Sequence, residues 1–329
     1  QILQLCRAAG LVKLGHVALD GTKMKANASK HKAMSYDRMT QDEAKLTTKV
    51  RELMAAAEAA DADEDARYGK DRRGDELPEE LRRAETRIAK IRELKKALEA
   101  EAAAQRKQAP KDDNDDAPPS AGAAAPKLPE HQIPTCADGT PTPKAQRNFT
   151  DADSRIMKTG DGFVQGYNCQ AMVDAAHQII VAQAVTNQPP DVEHLPPLLA
   201  QTIANCGKAP RRLSGDAGFF SEDNVAYATG LSVDVHLATG RRKHGEPLPV
   251  VRGRPPANLT PKQRMARKLA TKQGAAVYAR RKVIVEPPFG QIKEARSFRR
   301  FLLRGVAKVR GEWSLITMTH NLLKLYAAA

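Results

Sequence analysis

Apolar and polar positions follow two rhythms along this chain. Residues 1–14 (QILQLCRAAGLVKL) have helical spacing and predict a short helix closed at Gly10. Val17, Ala18 and Leu19 then form a brief apolar run that stops at Asp20-Gly21. That pattern fits a buried strand delivering one acid at its C-terminal end, and fits an Asp-Gly turn equally well. Residues 37–108 change period. Leu46, Val50, Leu53, Met54 and Ala57, then Leu77, Leu81, Ile88, Ile91, Leu94 and Leu98, recur at three- and four-residue intervals. The GKDRRGDELP stretch between them predicts that the two helices fold back as an antiparallel hairpin.

Strand periodicity returns after residue 148. GYNCQAMVD and QIIVAQAVTN, separated by Ala175-Ala176-His177, predict two adjacent antiparallel strands, with Tyr167, Cys169, Ala171 and Val173 on one face. VEHLPPLLAQTIANCG reads as a helix stopped by Gly207, and RRLSG as a short strand ending at Asp216. Ser221 should then cap a further helix. LSVDVHLAT is another strand, TGRRKHGEPLPVVRGRPPANLTPKQ a basic loop, and MARKLATKQGAAVYARRK helical. Pro287-Pro288 predict a break or a fresh helix start at Glu286. Val306, Val309, Trp313, Ile316, His320 and Leu323 form a core-facing stripe, which makes Trp313 and His320 packing residues. One mixed α/β sheet flanked by helices accommodates this order.

Composition divides the chain further. Residues 109–147 are rich in proline, carry a DDNDD cluster and cannot bury enough apolar surface to order themselves, so they read as a flexible linker. The resulting organisation is 1–28 as the first part of a catalytic domain, 29–108 as the helical-hairpin insertion, 109–147 as the linker and 148–329 as the rest. The insertion suits contact with DNA or another protomer, or a solvated spacer. The formal charge of +14 across 329 residues favours a polyanionic partner, nucleic acid over membrane, against the plainer reading of a basic soluble protein. Four scattered cysteines suggest neither a disulfide framework nor a zinc site and fit a reducing cytoplasm.

Chemistry concentrates between Tyr278 and Arg304, where eight Lys/Arg accompany two Glu. Glu286 stands among Val283, Ile284, Val285 and Phe289, where a carboxylate would lose its hydration unless a cation, such as a divalent metal, held it. Lys23, Lys25, Lys30, His31 and Lys32 after Asp20 suit phosphate contacts. Asp151, Asp153 and Asp161 read as turn formers, and Asp174 and Asp234 as spare strand acids.

The motifs VALDGTKMKANASKHKAMS, GDAGFFSE and YARRKVIVEPPFGQIKEA, in this order, resemble the DDE transposases of bacterial insertion sequences, whose catalytic domain has an RNase H-like fold. The resemblance is to the IS-eleven-eighty-two type, in the branch with a Tyr-Arg-Glu-Lys signature. It implies that Asp20, Asp216 and Glu286 form an acidic triad holding Mg²⁺, with Mn²⁺ able to substitute. Glu286 and Lys293 match the signature spacing. Lys282 stands at its Arg position, while Arg281 keeps the Tyr-to-Arg spacing from Tyr278. Lys23, Lys25, Tyr278, Arg281, Lys282, Lys293 and Arg296 are the implied DNA contacts. Glu286 and Lys293, about two turns apart, should share a helix face. The implied activity is Mg²⁺-dependent cleavage and strand transfer on double-stranded DNA, both element ends and target. A homodimer or larger assembly would act at the bacterial nucleoid in the cytoplasm. A nuclease of the same fold without strand transfer, or a truncated or inactive remnant that only binds DNA, are the alternatives. The absent initiator Met predicts that an N-terminal DNA-end-binding region precedes Gln1.

Overall fold

The computed structural model describes residues 1–68, 79–108, 126–160, 162–240, 251 and 253–328. The turn expected within 69–78, Asp161 and the basic loop at 241–250 lie outside them. The chain forms two compact units. The first comprises Gln1–Ala28, Asp116–His131 and Ser154–Ala329; the second comprises Ser29–Asp115 and Gln132–Asp153.

The first unit is built on one mixed sheet. Strand β1 (Val17–Lys25) runs antiparallel to β5 (Gly162–Asp174) and parallel to β7 (Arg212–Gly215), which in turn pairs in parallel with β8 (Asp234–Leu237). On its other edge β5 pairs with β4 (Arg155–Thr159) and, further along, with β6 (Ile180–Thr186), both antiparallel. Alternation sorts side chains to two cores. Val17, Leu19, Met172 and Leu213 pack with Leu195, Leu198 and Leu199 of α4 (Leu195–Cys206), near α1 (Ile2–Ala8) and α5 (Glu222–Gly230). Ala18, Cys169, Ala171 and Val173 pack with Ile284 and Val285 of α7 (Lys272–Gly290) and with Trp313 and Ile316 of α8 (Val306–Ala328). This mixed sheet between helical layers is consistent with the RNase H-like fold. Gly207, in the left-handed conformation at φ 76°, ends α4, and the Ser221 hydroxyl accepts from the Asn224 N–H to start α5.

The segment expected to break at Glu286 is continuous instead: α7 runs through both prolines to Gly290. The rings remove two backbone donors, and one of the carbonyls this strands, Val283 O, accepts from Gln178 Nε2 at 2.9 Å. A π turn at Gln291–Ala295 follows the prolines. The break falls earlier, where Thr271 separates α6 (Pro261–Ala270) from α7 and caps it by accepting from the Gly274 N–H.

In the second unit, α2 (Tyr36–Tyr68) and α3 (Glu79–Gln108) pair antiparallel, tied by Glu43 to Arg92 at 2.8 Å and by Lys49 to Glu80 at 3.7 Å. A two-stranded ribbon, β2 (Ala33–Ser35) with β3 (Gln146–Asn148), packs beside them. Residues 132–147, expected to be flexible linker, are ordered. Ile133 and Ala145 are buried with Leu98 and Ala102, and the Ile133 N–H donates to Gln105 Oε1 at 2.8 Å. A few apolar anchors and backbone bonds suffice there despite the proline content.

Candidate active site

Sheet register assembles the site. Leu19 lies opposite Gly215 in the parallel β1–β7 pair, so Asp20, still inside β1, stands beside Asp216, the first residue past the end of β7. Strand β1 neither ends nor turns at Asp20-Gly21 but runs on to Lys25. Asp20 shares the parity of Ala18 and therefore faces α7. Asp216 turns the chain, its Oδ1 accepting from the Gly218 N–H at 2.8 Å. Burial raises the Asp20 carboxyl above the usual carboxylate range. Arg281 and the Gly21 N–H partly offset this, and Asp216 adds to the rise.

One face of α7 meets these acids. Arg281 Nη1 donates to Asp20 Oδ2 at 2.8 Å, with both side chains mostly buried. Its guanidinium lies 5.9 Å from the centroid of the Tyr278 ring. Burial works against the charge of Arg281, but Asp20, Tyr278 and Asp216 together hold its pKa above the ordinary value. Burial also pushes the Tyr278 hydroxyl up and the Lys293 ammonium down. Lys293 donates to Thr22 Oγ1, two residues beyond Asp20 on the same strand face.

Glu286 departs from expectation. Ile284 and Val285 turn into the core, while Val283 and Glu286 turn outward, so its carboxylate is exposed and keeps its water. Among the described residues no hydrogen bond or ion pair holds it. The π turn between Glu286 and Lys293 interrupts the simple helical count that would align them; Lys293 reaches β1 while Glu286 faces solvent.

The remaining basic residues are placed diversely. Lys23 pairs with Asp191 at 2.9 Å. Arg296 is turned to α8, donating to the Ile316 carbonyl at 3.0 Å and to Thr319 Oγ1. Lys25 and Lys282 are exposed. Asp174 serves the backbone, accepting from Leu14 and Ala176 N–H groups, and Asp234 pairs with Lys268 and Arg212. His16, beside the acids in sequence, is buried against Ser214 Oγ at 2.9 Å, and burial lowers its pKa to about 4.

The Transposase DDE domain family matches residues 131–322, more than half of the chain. The chain belongs to this transposase family. The matched segment contains Asp216, Glu286 and Lys293, and Asp20 precedes it. No curated protein and no solved structure matches the chain. Membership makes the protein an enzyme of the nucleotidyl-transfer type with DNA as its implied partner. Among the described residues no helix is long and apolar enough to cross a membrane.

Enzymes of this family generally use divalent metal ions. Among the described residues no three metal-binding side chains already converge. The Asp20–Asp216 pair nonetheless fits such an ion: two hard oxygen donors lie side by side, and a guanidinium already answers the need for positive charge at Asp20. Sequence reasoning missed Asp191. Its Oδ1 accepts from Lys23, Asn168 and Gln170 at 2.9, 2.8 and 2.7 Å. Its Oδ2 and Asp216 Oδ1 both lie within 3.4 Å of where a Gly218 Cβ would sit. The signal available was the rigid Pro189-Pro190 step delivering an acid a few residues after the strand that ends at Thr186.

Proposed function

We propose that the protein is an insertion-sequence transposase of the IS-eleven-eighty-two type. It cuts DNA at element ends and joins the released 3′-hydroxyls to target DNA, in the bacterial cytoplasm and as a homodimer or larger assembly on DNA. Asp20, Asp216 and Glu286 are its acidic triad and Mg²⁺, replaceable by Mn²⁺, its cofactor. The observation that carries this reading is the β1–β7 register, which sets Asp20, within β1, beside Asp216, just past the end of β7.

A bound divalent ion supplies charge stabilisation for the entering and leaving oxygens of an in-line phosphoryl displacement. The protein's own groups do the positioning. Asp20 and Asp216 hold one side of the metal site on rigid strands. Glu286, exposed on α7, would be the third carboxylate to hold the ion. Arg281, displaced from Asp20, becomes available to a phosphate oxygen next to the ring of Tyr278. Lys293, anchored at Thr22, adds a second cation close to the acids. Lys25 and Lys282 meet the DNA backbone from the surface. Lys23 and Arg296 join them once DNA competes for their present partners.

Asp20→Asn, Asp216→Asn and Glu286→Gln should each lower metal-dependent cleavage by on the order of 10²–10³-fold or more. They should also weaken Mn²⁺ binding read by electron paramagnetic resonance. Cleavage that survives in Asp20→Asn or Glu286→Gln would remove the triad. A joining assay with pre-cleaved ends separates this transposase from a nuclease, which would release ends without joining them.

A further inference from the structure

We infer that a cationic cleft in the second unit binds the phosphodiester backbone of duplex DNA without reading its sequence. The cleft has a volume of about 980 Å³ and is lined by Arg38 at the start of α2, the stretch of α3 from Arg82 to Leu94, and the chain in and beside the β2–β3 ribbon. The inference rests on the transposase reading for one point only, the identity of the polyanion.

Six full cations line this space: Lys32, Arg38, Arg82, Arg83, Arg87 and Lys90. Among the described residues lining it, Glu93 is the sole carboxylate. Asp42 stands near Arg38 and Arg87, at 3.9 and 3.7 Å, but both arginine side chains are more than half exposed, and such surface pairs neutralise little. Lys32, Arg38, Arg82, Arg87 and Lys90, leaving Arg83 aside, are like charges in one concavity and repel one another in the folded protein. They are tolerated most readily where a polyanion occupies the space.

Helical geometry makes this an organised surface. Along the part of α3 that lines the cleft the buried positions are Leu81, Ala84, Ile88 and Ile91, which share one face. Arg82, Arg83, Arg87 and Lys90 fall on the side away from them. The stretch from Arg82 to Lys90 rises about 12 Å along the helix, comparable to three phosphates of one strand at roughly 3.4 Å each. Guanidinium groups suit phosphate oxygens because their paired donors match them two at a time. The cations of the cleft all lie before the residues that match the transposase family, while Phe149, Thr150 and Ala152 on its other wall lie within them.

The test uses the full chain and a random-sequence 30-base-pair duplex, with binding followed by fluorescence anisotropy across a salt titration. Arg82, Arg87 and Lys90 are exposed helical positions, so the triple variant Arg82→Ala/Arg87→Ala/Lys90→Ala should keep its circular dichroism spectrum. The slope of log K against log salt should become shallower by about 2.7, since each lost phosphate contact contributes roughly 0.9. The loss should be the same on random and element-end duplexes. The more conservative Arg82→Gln/Lys90→Gln variant, expected to remove about 1.8 from the slope, covers the case in which the triple variant misfolds.

An unchanged slope in a folded variant overturns the inference. If Lys25→Ala/Lys282→Ala lowers the slope in the same experiment, the cleft alone is lost and the transposase reading stands. If the unmodified protein binds no duplex at low salt, both fall. Poly-glutamate serves as the probe for an acidic protein partner. If its binding drops as much as that of the duplex, the assignment to DNA is overturned.

Discussion

Asp20 is a buried carboxylate whose charge depends on its neighbours. Desolvation and Asp216 push its proton affinity up, and Arg281 pulls it down. Arg281→Met therefore removes the main compensation. With the folded pKa driven further above the unfolded value, the cost is absent below the unfolded pKa, grows as pH rises from the unfolded to the folded value, and is complete above it. The expected loss is about 2–3 kcal/mol at pH 8, shrinking towards pH 5, measured as urea midpoints. A loss that does not vary with pH would show that Arg281 acts by packing alone. Among the described residues Arg281 Nε is buried without a hydrogen-bond partner.

At the level of elements, α7 is the part that brings Arg281 to Asp20 on the sheet, and its seat is the joint with α6. A Cβ on Gly274 would lie 1.9 Å from the Lys268 carbonyl oxygen, whereas one on Gly290 would meet open space. Gly274→Ala should thus cost about 2–3 kcal/mol by forcing the helices apart. Gly290→Ala should be neutral or stabilising by up to about 1 kcal/mol. Chemical denaturation of the two variants tests this, and equal behaviour would contradict a close-packed joint.

The same elements show what could be read in advance. The strand that stops just before Asp216 and the β5–β6 hairpin were both readable, whereas the strand expected to end at Asp20 runs on to Lys25, because β5 supplies pairing for its polar half that the sequence around Asp20 does not show. The helix through Pro287-Pro288 was not legible, because the donor that answers the Val283 carbonyl, Gln178, lies more than a hundred residues away. Nor was the order in residues 132–147, where composition suggested a linker but Ile133 and Ala145 find buried partners. Glu286 was misjudged because the identity of its neighbours was visible and their helical angle was not. Asp191 escaped for the opposite reason: the sequence places it in a proline turn, and only the fold brings Lys23, Asn168 and Gln170 around it.

For the whole molecule, a metal ion that binds only the folded state should stabilise it. At an ion concentration one hundred times the dissociation constant the gain is about 2.7 kcal/mol. The Mg²⁺-dependent rise in melting temperature should be larger at pH 8 than at pH 5, because the ion must meet Asp20 ionised and its proton is held more tightly than usual. Asp216→Asn should lose most of the rise. A shift of equal size in that variant, or one independent of pH, would place the ion elsewhere.

The parallel pairing of β1 with β7 closes a long excursion of the chain that includes the entire second unit. Closure entropy grows only logarithmically, about 0.6 kcal/mol for each doubling of loop length. The acid pair is therefore nearly indifferent to how much polypeptide hangs between its two halves. Cargo can be lengthened, trimmed or exchanged at that point with little thermodynamic consequence for the strands on either side.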